Sequence, residues 1–268
     1  WHLKSREVQL KAALPPVAKG AAGGRRFWWE LEPGAGDPLA VGPLILAPRL
    51  LPDPQFCLET EPVQPDAGCL AWRSADRYLL GWLASPVAWW LLGRLPRDPA
   101  GAIALDPAAL ADLPIAQPRE RVRRRVEAAV DALLNLTLAR RVALAELADW
   151  LRADFEVPAL SPALSAPHEL DAGGFVDEVR RRRSKLAVPL QAAGLRALRE
   201  SHGRHAEVTG AVAGELGRRE AELAEAIFAA HRLPSELQTV LWRALPAGSG
   251  PAAWRAARFF NDEEPSDD

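Results

Sequence analysis

His202 and His205 lie three residues apart with Glu200 and Glu207 on either side, a set that on one helix face could ligate a transition metal. Gly203 weakens that helix and no third ligand is marked nearby, so the segment reads as an exposed polar helix end. Cys57 and Cys69 are the only thiols, and without a partner His or Cys they do not make a zinc site; two buried thiols are expected. GAAGG (20–24) and GAGDP (34–38) are glycine-rich, but neither ends in the Lys-Ser/Thr pair that cradles phosphates before a helix, so both read as turns. The sharpest electrostatic features are the arginine runs at 121–125 and 180–183. Guanidinium groups bridge phosphate oxygens bidentately, and each phosphate neutralised on a duplex steepens the salt dependence by about 0.9 log units. A phosphate-tracking surface and an ordinary solvated helix face fit these runs equally well.

Two kinds of structure must position these groups. Up to residue 118 the chain is rich in Pro and Gly, with short apolar runs such as PLILAP and QFCLE that read as strands bounded by turns. One helix is predicted over 75–93, where Leu79, Leu80, Leu83, Val87, Trp90 and Leu91 recur at helical steps. Ser74 or Asp76 would cap it, and Pro86 would kink or break it. Trp82 and Trp89, seven apart, would face a sheet together as core, whereas the adjacent Trp28 and Trp29 would point opposite ways in a strand, leaving one ring free to stack on a base.

Beyond Pro118 the composition turns to Ala, Leu, Arg and Glu, with apolar residues at helical spacing. Asn135 is a candidate turn between two helices, the alternative being one long bent helix ending near Asp154. The Pro-rich stretch 156–174 reads as a surface connector, followed by further helical segments ending with SELQTVLWRAL. The expected fold class is therefore α+β: a mixed strand and helix domain over 1–118, an all-α domain over 119–260, and a solvated, disordered acidic tail over 261–268.

The chain is 49% hydrophobic and 25% charged, with net charge −2, which excludes a global pull on a polyanion. Basic side chains outnumber acidic ones over 119–260, and the tail carries only negative charges. No apolar run reaches the roughly 20 residues needed to span a bilayer, and WHLKSREVQLK lacks a signal-peptide core, so a cytoplasmic protein without a membrane partner is expected. There is no Met, even at position 1, which points to a fragment of a longer protein.

Residues 65–118 read PDAGCLAWRS, then ADRYLLGWLASPVAWWLLGRL, then an apolar loop ending in DLPIAQP. This order resembles the TaqI-like C-terminal specificity domain of adenine-specific DNA methyltransferases, in which a strand leads into a helix of the form "yLLglLNSkl.wf" and then an "lP(I/V)P" turn. Tyr78, Leu79, Leu80, Leu83, Ser85, Trp89 and Trp90 fit the helix, and Leu113, Pro114 and Ile115 fit the turn. RRFWWELEP (25–33) resembles the family's "WW.lr" element, and GPLILAPRLLPDPQFCLE (42–59) its strand pair. Gly68, Cys69 and Leu70 replace the usual polar "tN.t", and the strand motif's Lys is absent near Pro43 and Leu44. Further on, REAELAEAIFAAHRLPSELQTVLW (219–242) resembles the closing "E.ELD.lV..lYGLT.eE...i" element of the same superfamily. His231 and Arg232 stand for its Tyr-Gly, so the tight turn is expected from Leu233 leading into Pro234 at the first turn of the last helix.

The resemblance implies the target-recognition part of an adenine-specific (N6) methyltransferase in a restriction-modification or phage-defence system. Its partners would be double-stranded DNA, an upstream catalytic domain and other defence-system subunits. No Asn-Pro-Pro-Tyr loop is present, the sole Pro-Pro being Pro15-Pro16, and no glycine-rich turn suits a cofactor. Catalysis and S-adenosylmethionine would therefore belong to the parent enzyme, with no cofactor on this chain. Lys4, Arg6, Arg25, Arg26, Arg49, Arg73 and Arg77 are the candidate DNA contacts, arginine being the side chain best suited to guanine. The alternative is a protein-interaction scaffold whose helical half binds a partner subunit.

Overall fold

An extended strand that runs straight into a capped helix organises the first half of the chain. In the computed structural model, residues 42–51, 56–66, 68–183 and 190–245 are described. The chain divides into two units, one of residues 1–42 with 60–64 and one of residues 43–59 with 65–268. Every strand and helix among the described residues belongs to the second unit; the RRFWWELEP element and the acidic tail lie outside the described residues.

The architecture is α+β, small antiparallel sheets with short helices followed by a largely helical region. Strands β1 (Leu44–Pro48), β3 (Cys57–Glu59) and β4 (Cys69–Arg73) form an antiparallel sheet in the order β3-β1-β4, with Leu44 opposite both Glu59 and Arg73. Leu44 and Ile45 are successive and both buried, so at that end both faces of the central strand are covered. A smaller pair, β2 (Leu50–Leu51) and β5 (Ile103–Ala104), sets Leu51 against Ile103. Neither cysteine is buried as expected: Cys57 is exposed and Cys69 half-buried, on the two strands that flank β1, and both are free thiols.

The predicted helix forms as two. Helix α1 (Arg77–Leu83) begins at Asp76, whose carboxylate accepts from the backbone N–H groups of Tyr78 and Leu79. Helix α2 (Pro86–Leu92) restarts at Ser85, whose hydroxyl accepts from the Ala88 N–H, with Pro86 in the first turn where a missing N–H costs nothing. The break sends the two tryptophans apart. Trp82 joins a core with Val126 and Ile227 of the helical half, whereas Trp89 packs with Leu51, Leu70 and Ile103 beneath the sheets, so they do not share a face. Asp76 also receives Arg123 from the helical half at 2.8 Å. Asp76→Ala is expected to cost about 1–2 kcal/mol in urea denaturation, and Asp76→Asn less, because asparagine still caps and the half-exposed ion pair contributes little.

After a short helix α3 (Pro107–Ala111), helix α4 (Glu120–Phe155) runs 36 residues straight through Asn135, so the one-helix alternative holds. Helix α5 (Ala172–Arg182) precedes helix α6 (Ala192–His231), 40 residues long, and helix α7 (Ser235–Ala244). Helices α4 and α6 run antiparallel. The start of α4 and the end of α6 meet α1 in the first core (Val126, Val130, Leu223, Ile227), while the end of α4 and the start of α6 share a second with α5 (Leu151, Phe155, Phe175, Leu198). The compositional change at Pro118 is thus one of secondary structure, and the first core is continuous across it. Among the described residues there is no strand beyond residue 120, and no helix is long and apolar enough to cross a membrane.

Two expectations in this half are corrected. The stretch 156–174 is not a surface connector: Val157, Ser161, Leu164 and Pro167 are buried in or against the second core, and the Ser161 hydroxyl donates to the buried Glu178 at 2.6 Å. That bond, with the guanidinium groups of Arg182 and Arg181, holds the Glu178 carboxyl below its ordinary range. The turn between α6 and α7 is made not by Leu233 and Pro234 but by Arg232, left-handed at φ 53°, at the position where the superfamily element has glycine. Pro234 is the residue before the first turn of α7.

Candidate nucleic-acid interface and an acidic groove

The residues that carry the resemblance converge. Tyr78 at the start of α1 sends its hydroxyl to the carbonyl of Ala116, 2.9 Å away, which ties the helix motif to the Leu-Pro-Ile turn. Burial raises the Tyr78 phenol above its ordinary value, opposed by Arg123, whose guanidinium carbon stands 5.3 Å from the ring centroid. Leu113 of the turn packs against both the first core and the cluster beneath the sheets, as does Trp72 of β4. Leu80, Leu83, Ser85 and Trp89 are buried; Pro114 and Ile115 lie on the surface.

The candidate arginines do not converge. Lys4, Arg6, Arg25 and Arg26 lie outside the described residues. Arg73 closes β4 opposite Leu44, whereas Arg49 follows the other end of β1, beyond the Pro48–Cys69 pair. Four residue steps separate those ends, about 14 Å. Arg73 is exposed, but Arg77 reaches back to pair with Asp131 of α4, an interaction that fastens α1 to the helical half.

The arginine runs divide in the same way. In the first, Arg123 is bound to Asp76 and Glu127 and Arg124 to Glu120, while Arg121 and Arg125, like Arg119 just ahead of the run, are exposed with no acidic partner among the described residues. In the second, Arg180 pairs with Asp177, Arg181 and Arg182 share Glu178, and the Arg183 guanidinium donates to the Phe155 carbonyl at the end of α4. Three arginines of that second run are thus paired within α5, and Arg183 alone ties its end to α4.

The histidine set is not an exposed helix end. His202 is buried, and its Nε2 lies 3.1 Å from the Pro167 carbonyl and 3.0 Å from that of Leu170. Two acceptors require that Nε2 carry the proton, so the ring pins the 156–170 stretch to α6. His205 stacks on Trp150 at 6.1 Å between centroids. Glu200 and Glu207 point to solvent, and no cluster of three or more metal-ligating side chains occurs among the described residues.

A site that sequence reasoning missed lies between α1, α4 and α6. There a groove of about 240 Å³ is lined by apolar residues, Thr137 and Glu220. Gly81 lets the helices close behind it: a methyl on Gly81 would lie 2.7 Å from Val130 Cγ2 and 2.8 Å from Val126 Cγ1. Burial pushes the Glu220 carboxyl from 4.5 up to about 7, against the opposing effect of Arg140. The signal was present. Leu216, Glu220, Leu223 and Ile227 recur at steps of four, three and four, which places an acid on the apolar stripe of α6.

A family described as a domain of unknown function, DUF8810, matches residues 119–227, from the cap of α4 to just short of the end of α6. No curated protein and no solved structure matches the chain. The matched segment of this chain spans the α4–α6 pair with the second core, includes both arginine runs and Glu220, and stops short of α7.

Proposed function

We propose that this chain is the DNA target-recognition part of an adenine-specific methyltransferase of a restriction-modification or phage-defence system. Methyl transfer and S-adenosylmethionine binding belong to a catalytic domain elsewhere in that enzyme. The observation that carries the reading is the bond from Tyr78 to Ala116. It joins the two motifs of the resemblance, 38 residues apart, into one strand-helix-turn body. In this reading the module grips a duplex and presents loops to base edges, and the phosphates are met by exposed cations. Arg73, Arg119, Arg121 and Arg125 supply these; Arg77 does not.

The test is fluorescence anisotropy of the chain with duplex DNA at two salt concentrations. Affinity is expected to fall steeply with salt. Arg73→Ala should either flatten the salt slope by about one, as for a phosphate contact, or cost about 1–3 kcal/mol against a preferred site, as for a base contact. Arg77→Ala should leave DNA affinity unchanged and lower stability instead. Absence of salt-dependent DNA binding, both from the chain and from the enzyme that contains it, would overturn the proposal.

One observation favours the scaffold reading for the helical half. Leu138 and Val142, four apart on α4, are each 50% exposed, and Val208 of α6 is 51% exposed, in the stretch between the two cores. A partner subunit seated there would bind through apolar area and respond little to salt, which separates it from DNA in the same titration.

A further inference from the structure

Glu220 stands apart from the other acids of its helix. Glu215 holds Arg218 and Arg219, and Glu222 also holds Arg219. The Glu220 carboxylate has no hydrogen bond and no ion pair with any described residue, yet it is mostly buried and lines the groove. Removing a carboxylate from water with no cation in contact is unfavourable, so the group either takes up a proton or receives a cation from outside. The charged group that faces it is Arg140 of α4. From α1 and its C-terminal cap the groove receives Leu80, Gly81 and Ala84, none of them ionisable.

We propose that this groove binds an organic cation, an ammonium group on an apolar body, with the ammonium on the Glu220 carboxylate and the body against Leu80, Leu133, Leu216 and Leu223. Thr137 offers a hydroxyl at the same wall. The size is suitable. An apolar cavity of about 150 Å³ accommodates a benzene ring, so about 240 Å³ has room for a ring with a short alkyl chain. Neutral molecules of the same shape gain the apolar contact alone, whereas the ammonium adds a charge-assisted hydrogen bond in a partly dry site. Binding must also remove the proton that Glu220 holds below pH 7, so affinity rises as the pH is raised through that value. This proposal stands independently of the DNA reading.

The experiment is isothermal calorimetry of the full chain with phenethylamine and with the neutral 2-phenylethanol, at about pH 6 and about pH 8.5. At the higher pH the amine is expected to bind at least about tenfold more tightly than the alcohol. At the lower pH its affinity falls, and its binding heat depends on the buffer because a proton is released. Glu220→Gln keeps the shape and should bring the two ligands level. Leu216→Trp fills the groove and should abolish both, and a thermal melt of each variant checks the fold. Equal affinity of wild type for amine and alcohol, an amine preference that survives in Glu220→Gln, or amine binding that survives in Leu216→Trp would each overturn the proposal.

Discussion

Truncation of Trp82 to alanine is expected to lower the free energy of unfolding by about 3–5 kcal/mol, the range for loss of a large buried aromatic side chain. Trp82 is fully buried and sits where α1 meets α4 and α6, so the cavity would open at the centre of the first core. The indole also has a polar partner, its Nε1–H donating to His231 Nε2 at 2.8 Å. Trp82→Phe separates the two contributions. It keeps much of the apolar volume and leaves His231 without its donor, and the loss should be about 1–2 kcal/mol. The bond also has a pH signature. An Nε2 that accepts carries no proton, so the native ring is neutral, and burial holds its pKa below the ordinary 6.5. A depressed folded-state value means stability that is complete above about 6.5 and is lost as the pH falls through the folded value. In Trp82→Phe the preference for the neutral ring weakens, so the decline below about pH 6.5 should be shallower. Urea denaturation from about pH 8 down to about pH 5 measures both effects, and a Trp82→Ala loss below about 1 kcal/mol would show that the α1–α4–α6 junction does not depend on this side chain.

What was legible in the chain is what local chemistry decides. The Asp76 cap, the break at Pro86, the strands around PLILAP and the all-helical half each depend on residues within a few positions of one another. Misreadings arose where distant contacts decide. Asn135 is a poor helix former, but its penalty of under about 1 kcal/mol is outweighed by the packing that α4 makes at both ends with α6. The prolines of 156–174 are those of a loop, yet a loop pinned by Glu178 and His202, 17 and 35 positions along the chain from the groups they bind, becomes core. Trp82 and Trp89 would share a face on an unbroken helix, and the restart at Ser85 separates them. Arginine content alone did not separate cations that hold helices together from cations left at the surface. Arg77 is fastened by Asp131, far along the chain, while Arg73, four residues earlier, faces solvent.

Glu220→Gln is expected to stabilise the protein at alkaline pH and to do nothing at acid pH. The native carboxyl is raised from 4.5 to about 7, with burial as the larger cause. Between those values the folded chain holds a proton that the unfolded chain has released, so the slope of unfolding free energy against pH is negative there. Below 4.5 both states are protonated and Glu220 costs nothing; above about 7 both are ionised and the whole penalty applies. The full shift would correspond to about 3 kcal/mol, and the water that reaches this partly open groove reduces the expected gain to about 1–3 kcal/mol. Glutamine keeps the volume and removes the charge, so it should recover that amount at about pH 8 and lose the advantage progressively towards about pH 4.5. Arg140→Ala should act in the opposite sense. Without the facing cation the carboxylate is less well tolerated, its pKa rises further, and the wild-type decline in stability should continue to higher pH. Urea denaturation of the three proteins across this range is the measurement, and parallel curves for wild type and Glu220→Gln would mean that Glu220 is solvated as freely in the folded chain as in the unfolded one.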